Sequence, residues 1–236
     1  MVRDAGAGDP RIARGCSHHA GGASVIILGL TGSIGMGKST AAKNLRRLGV
    51  PLFDADAVVH RLLAPGGAAV RPVEAAFPGM RDKAGGIDRR RLGQFVFHDP
   101  PALRRLEGIL HPMVRRAEQR FVAGARARRA PLVVLDIPLL FETGGVERCD
   151  FVLVVSAPAR LQRERVMRRP GMSDSRFADI LRAQIPDREK RRRADFVVTT
   201  SLGRSIAFRQ LKAIVRTLRR GELPRSHRGG QPCARS

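Results

Sequence analysis

The sequence predicts an α/β fold, a three-layer α/β/α sandwich on a five-stranded parallel sheet. Two observations predict it. Short apolar runs alternate with segments of helical period, the pattern of parallel strands joined by crossover helices. Between one strand and one helix lies Gly32-Ser33-Ile34-Gly35-Met36-Gly37-Lys38-Ser39, which reads G-x-x-x-x-G-K-S. Such a loop wraps backbone N–H groups around a phosphate. With 236 residues the chain can form one such domain with a large core and a helical insertion.

The first strand is the apolar run Val25 to Leu28. The glycines of the loop let the backbone approach a phosphate closely, and the following helix N-terminus adds partial positive charge. Lys38 suits the β- and γ-phosphates of a nucleoside triphosphate, and the Ser39 hydroxyl suits Mg²⁺. Thr40 to Leu48 reads as a helix with Ala41, Leu45 and Leu48 on one face.

Val50 to Phe53 is the second strand and runs into Asp54-Ala55-Asp56. Carboxylates at the C-terminal end of a parallel strand face the ligand crevice. One Asp is expected to cap the helix Ala57 to Leu63 or to bind solvated metal, and the other to face substrate. After the break at Ala64-Pro65-Gly66-Gly67, the chain reads as helical to about Arg129, with Asp99-Pro100-Pro101 opening a long 3.6-residue period from Leu103 to Phe121. Pro112 predicts a kink near His111. This insertion, about 64–130, is a natural home for an acceptor substrate.

Pro131 to Leu135 is a buried-type strand ending in Asp136. After a phosphate loop, such an Asp reads as the second half of a nucleotide–Mg²⁺ site, or more simply as a turn residue. Phe151 to Val155 is the fourth strand. The helix from Ala159 carries Arg160, Arg163, Arg165, Arg168 and Arg169, and Ser173 reads as the N-cap of the next helix. The basic helix is either a solvated face or part of a lid, about 160–185, that closes over a triphosphate and brings Arg to the transferring group. Asp195 to Thr200 is the fifth strand and its turn, and Ala207, Leu211, Ile214, Val215 and Leu218 mark a closing amphipathic helix. Residues 1–24 and 221–236 read as disordered extensions.

Composition narrows the partners. Lys and Arg number 44 against 21 Asp and Glu, a formal charge of +23, with no Trp or Tyr. The arginines are scattered and no aromatics are interleaved to stack bases, so polyanionic substrates and an Arg-rich composition explain the charge better than a specific nucleic acid. Cys16, Cys149 and Cys233 are odd in number and far apart, which fits a reducing, cytoplasmic setting and no thiolate metal site. No apolar run is long enough to span a membrane.

A short chain, an acidic pair after the second strand, a helical insertion and a late Arg-rich segment point to a small-molecule kinase. A kinase needs a carboxylate near the acceptor hydroxyl, and Asp56 is the candidate base. The chain resembles the dephospho-CoA kinase family from about Val25 to Arg219. The resemblance rests on Leu30 to Ser39, Asp54-Ala55-Asp56, Asp88-Arg89, His111-Pro112, Asp136 to Glu142, Gln162 to Arg165, Arg169 to Ser173, Ala183-Gln184-Ile185-Pro186 and Ala194-Asp195. It implies a P-loop, nucleoside-monophosphate-kinase-like fold and transfer of the ATP γ-phosphoryl to the ribose 3′-hydroxyl of dephospho-CoA. It further implies ATP phosphates on Gly35 to Thr40, Thr31, Arg89 and His111 on the acceptor side, and Arg165 meeting phosphates from the lid. Two departures stand out: Thr199-Thr200 where the family often has Asp-Asn near the adenine, and Pro170 where Asp is common in the lid turn. The expected assembly is a monomer or weak oligomer. The rival readings are another small-molecule or nucleoside monophosphate kinase and, in a different class, a nucleic-acid-binding ATPase.

Overall fold

A computed structural model describes residues 25–222 except residue 98; the sequence expectations for 1–24 and for the tail beyond 222 lie outside the described residues. Strand β1 (Ile26–Thr31) leads through the glycine loop into helix α1 (Lys38–Arg47), which starts two residues earlier than the apolar period predicts. Next come β2 (Leu52–Asp54) and α2 (Ala55–Leu63). The insertion is helical as expected: α3 (Val70–Ala76), α4 (Arg89–Phe97) and α5 (Pro100–Ala127), with one isolated bridge between Arg81 and Ile87. Then follow β3 (Leu132–Asp136), a 3₁₀ turn, β4 (Phe151–Ser156), α6 (Ala159–Met167), α7 (Asp174–Arg182), α8 (Asp187–Arg193), β5 (Phe196–Thr199) and α9 (Arg204–Arg219).

All strand pairs are parallel, in the order β2-β3-β1-β4-β5. Parallel strands need crossovers, so helices cover both faces and the strands are apolar along their length. Leu132 and Val134 face a core with Leu45, Leu211 and Leu218 of α1 and α9. Val133 and Leu135 face the opposite core with Val58 and Val122 of α2 and α5. A third core, with Val73, Phe77, Leu92 and Leu106, lies within the insertion and holds its helices together.

The register places the site. Leu30 and Asp54 both pair with Asp136, and Ser156 pairs with Thr199. Leu30 pairs also with Leu153, so β2, β3 and β1 end nearly level, β4 and β5 run about three residues further, and the glycine loop leaves β1 in the centre of the row. Side chains at this edge converge on one crevice.

Local caps agree with the sequence. Asp99 accepts from Ala102 N at 2.9 Å ahead of the Pro100-Pro101 start of α5. Ser173 Oγ accepts from Arg176 N at 3.2 Å and caps α7. Helix α8 has no counterpart in the apolar pattern: its buried side chain is Lys190, with no exposed surface.

Candidate active site

The glycine loop is shaped by positive φ angles at Gly35 (77°) and Gly37 (96°), which L side chains rarely adopt. A Cβ at Gly35 would also lie 2.6 Å from Val166 Cγ2 and 2.9 Å from the Gln162 carbonyl, so the loop is pressed against α6. Gly37 is the N-cap of α1 and supplies no side-chain cap, which leaves the helix N-terminus suited to an anion.

The loop residues divide by role. Gly32, Ser33, Ile34, Gly35, Gly37, Lys38, Ser39 and Thr40 line a cleft of about 540 Å³. Met36 does not; its side chain is buried and its Sδ accepts from Ala157 N at 3.1 Å. Several loop amides are engaged within the protein. Ile34 N donates to Gln184 Oε1 at 3.2 Å, Met36 N to Ser33 O at 3.2 Å and Thr40 N to Gly37 O at 3.0 Å. These three amides are committed within the protein.

The two carboxylates differ in their contacts. Asp54 accepts from Ala57 N at 2.9 Å and is the N-cap of α2. Asp56, two residues further, is exposed in the first turn of α2 and lines the glycine-loop cleft. It also lines a second cleft with Arg46, Arg61, Arg89 and Asp136, and an apolar groove with Leu103, Leu106, Leu110, His111, Pro138 and Leu139. Asp56 is the residue at which the three cavities meet.

Asp136, at the end of β3, lies 2.7 Å from Lys38 Nζ. Burial holds its carboxyl above the ordinary aspartate range; Lys38 pulls it back, and the nearby Asp54 and Asp56 push it up again. This crowding bears on metal binding. Mg²⁺ takes hard oxygen ligands, one or two carboxylates with phosphates and water. Ser39 shares the second cleft with Asp54, Asp56 and Asp136, so the donor chemistry fits. Among the described residues no group of three or more His, Cys, Asp or Glu side chains is placed to hold a metal ion.

Other expected site residues are placed as follows. Arg89, at the start of α4, reaches the second cleft beside Asp56, and His111 lines the apolar groove. Thr31 is fully buried, and its hydroxyl donates to Pro138 O at 2.8 Å. It lines none of the three cavities and ties the end of β1 to the segment after β3. Arg165 lies in the wall of the glycine-loop cleft, with its terminal nitrogens 2.9 Å from Thr200 Oγ1, 2.9 Å from Thr200 O and 3.4 Å from Gly35 O. It is an anchored cation rather than a free arm. Arg169, exposed, lines the same wall.

The sequence reading gave no role to Gln162, Gln184 or Thr200. Gln162 Nε2 donates to Ile34 O at 2.8 Å, and Thr200 Oγ1 donates to Met36 O at 2.8 Å. Their positions lay among the segments that carry the family resemblance and its departures, but no spacing rule links a glutamine in α6 to a loop more than a hundred residues earlier.

The chain is similar to known proteins over most of its length. A family model described as dephospho-CoA kinase matches residues 26–204. A dephospho-CoA kinase of Rhodospirillum rubrum is 56% identical over 204 residues, spanning 86% of this chain and 96% of the relative. One from Paramagnetospirillum magneticum is 60% identical over 205 residues, spanning 86% and 95%. Among solved structures, a protein from Thermus thermophilus matches with TM-score 0.73 at 39% identity, covering 82% of this chain and 98% of that one. A dephospho-CoA kinase from Campylobacter jejuni matches with TM-score 0.58 at 25% identity, covering 81% and 96%.

Proposed function

The chain belongs to the dephospho-CoA kinase family, whose members are ATP-dependent kinases, and we propose that it moves the ATP γ-phosphoryl onto the ribose 3′-hydroxyl of dephospho-CoA beside Asp56. The observation that carries the assignment of parts is the position of Asp56, shared by the nucleotide-side cleft, the basic cleft and the apolar groove. A reaction that joins two substrates needs such a meeting point.

ATP phosphates lie on the glycine loop and the N-terminus of α1, with Lys38 on the β- and γ-phosphates. Ser39 and Asp136 would hold Mg²⁺, which would neutralise charge on the phosphate oxygens. Asp56 orients the 3′-hydroxyl and accepts its proton. The hydroxyl oxygen bonds to the γ-phosphorus as the bond to the β,γ-bridging oxygen breaks and ADP leaves. Arg165, anchored to Thr200, and Arg169 add positive charge from the α6 side, where a lid over about 160–185 keeps water out.

The acceptor occupies the other two cavities. Its diphosphate suits the guanidinium groups of Arg46, Arg61 and Arg89. Its apolar-jointed pantetheine arm suits the groove along α5, where Leu103, Leu106, Leu110 and Val114 recur at helical spacing beside Pro138 and Leu139. The α5 wall from Leu103 to Glu118 runs about 22 Å at the rise of an α-helix, on the order of the arm's length. Among the described residues no helix is long and apolar enough to cross a membrane. A cytoplasmic monomer or weak oligomer completes the proposal.

The test is ADP release by the full chain across acceptors. Dephospho-CoA should stimulate turnover strongly, with the product phosphorylated at the 3′-oxygen by phosphorus NMR. Stimulation instead by shikimate, gluconate or a nucleoside monophosphate, with none by dephospho-CoA, refutes it.

A further inference from the structure

The glycine loop is held from outside as well as shaped from within. The carbonyl of Ile34 accepts from Gln162 Nε2 at 2.8 Å, and the carbonyl of Met36 accepts from Thr200 Oγ1 at 2.8 Å. In a planar trans peptide the C=O of one residue and the N–H of the next point in opposite directions. Fixing Ile34 O outward therefore aims Gly35 N–H inward, and fixing Met36 O aims Gly37 N–H inward. Those are the two loop positions with positive φ.

The neighbouring amides are already committed. Ile34 N donates to Gln184 Oε1, and Met36 N closes a turn on Ser33 O. The crest thus alternates between amides bonded within the protein, at Ile34 and Met36, and amides aimed at the cleft, at Gly35 and Gly37.

The clamps are themselves braced. Gln162 is buried in α6, and Thr200 Oγ1 accepts from Arg165 while it donates to the loop. Beside Gln184, Ile185 N donates to Glu142 Oε1 at 2.9 Å, and Lys190 Nζ, with no exposed surface, lies 2.8 Å from the same oxygen. Such fixed partners keep a loop in one conformation when its own glycines would allow many.

We propose that Gln162 and Thr200 are positioning residues that aim the Gly35 and Gly37 amides at the nucleotide phosphates by holding the carbonyls of Ile34 and Met36. This gives Thr200 a task at the place where the family often has Asn: it braces the loop through Met36 O, and Arg165 works through it. The inference rests on the loop binding nucleotide, and not on which acceptor is phosphorylated.

The test measures ADP affinity by titration calorimetry on the full chain, together with both KM values and the unfolding temperature. Thr200→Val keeps the shape and removes the donor; Gln162→Met does the same at α6. Each should weaken ADP binding about 10-fold, the loss of roughly one oriented charge-assisted bond, while KM for dephospho-CoA stays within about 2-fold. Thr200→Ser restores the hydroxyl and should restore ADP affinity. The double variant should lose less than the product of the two single losses, because both act on one loop. ADP affinity unchanged in Thr200→Val and Gln162→Met overturns the proposal. So does a loss of ADP affinity in Thr200→Ser equal to that in Thr200→Val, or a parallel rise in both KM values that tracks the unfolding temperature. If Gln162→Met does not fold, Thr200→Val and Thr200→Ser decide between these outcomes.

Discussion

Lys38 Nζ lies 2.7 Å from Asp136 Oδ1, so the lysine of the glycine loop and the aspartate that ends β3 form one ion pair across neighbouring strands. Lys38 keeps limited exposure at 18%, whereas Asp136 is 5% exposed. Removing the cation leaves a buried carboxylate with no counter-ion and, in the proposed site, also takes charge from the phosphates. Lys38→Ala should lower kcat by about 100-fold or more while the circular dichroism spectrum remains native. Transfer retained near wild-type rate would remove Lys38 from the phosphate site.

The same pair gives a pH signature. Burial raises the Asp136 pKa in the folded chain above its unfolded value, with Lys38 opposing and Asp54 and Asp56 adding to the rise. The native state then binds the Asp136 proton more tightly than the unfolded state. This group's contribution to stability is favourable at low pH and is lost as pH rises from the ordinary aspartate range through the raised folded value. In Asp136→Asn that dependence disappears. The difference in unfolding temperature, wild type minus variant, should grow as pH falls through this window. A difference that shrinks would mean that ionised Asp136 is a net stabiliser through Lys38.

Asp54 and Asp56 should respond differently to the same substitution. Asp54 caps α2, so Asp54→Ala should cost about 1 kcal/mol of stability and affect turnover less. Asp56 faces the three cavities and caps nothing. Asp56→Asn should lower kcat by about 100- to 10,000-fold with ADP affinity within about 3-fold of wild type. A collapse of ADP affinity instead would make Asp56 a metal-site residue and place the base elsewhere.

These roles were unequally legible in the sequence. The loop was readable because G-x-x-x-x-G-K-S fixes both backbone and side-chain chemistry, and the strand and helix around it follow from apolar runs. Asp54-Ala55-Asp56 announced two carboxylates, but which one caps α2 depends on where the helix starts, a boundary that periodicity places only within a few residues. Helix α8 was missed because its inward side chain is Lys190, paired with Glu142, and an apolar period cannot register a buried charge. Thr31 sits beside the loop in sequence, yet its hydroxyl turns to Pro138 O, a contact 107 residues away that only the parallel pairing of β1 with β3 brings close. Gln162 and Gln184 are illegible for the same reason: a polar side chain that serves a distant backbone leaves no spacing behind.

In the proposed arrangement the apolar groove takes the acceptor's arm and Asp56 meets its reacting end. Leu103 and Leu139 line it and are each 39% exposed, so polar replacements there should fold. Leu103→Ser with Leu139→Ser removes apolar contact worth roughly 1 to 2 kcal/mol, about a 5- to 30-fold rise in KM for dephospho-CoA. AMP carries the same 3′-hydroxyl without the arm, so the rate of ADP release with AMP as acceptor should be unchanged by the substitutions, as should KM for ATP. Equal losses with both acceptors would show that the groove supports the fold or the base and does not hold the arm.

The charge of +23 predicts adhesion to RNA, but of a particular kind. Arg209, Lys212, Arg216 and Arg220 surround a shallow hollow on α9 that shares no residue with the three cavities around Asp56. Phosphates held there neutralise scattered cations and release counterions, so binding should fall steeply and linearly in log–log form as salt rises. No aromatic ring stands ready in that hollow to stack a base, so homopolymers of different sequence should bind alike. With both substrates saturating, RNA at physiological salt should leave the rate of ADP release unchanged. Stimulation there would show that the basic face is coupled to the catalytic cleft, and the reading of the charge as general affinity for polyanions would be wrong.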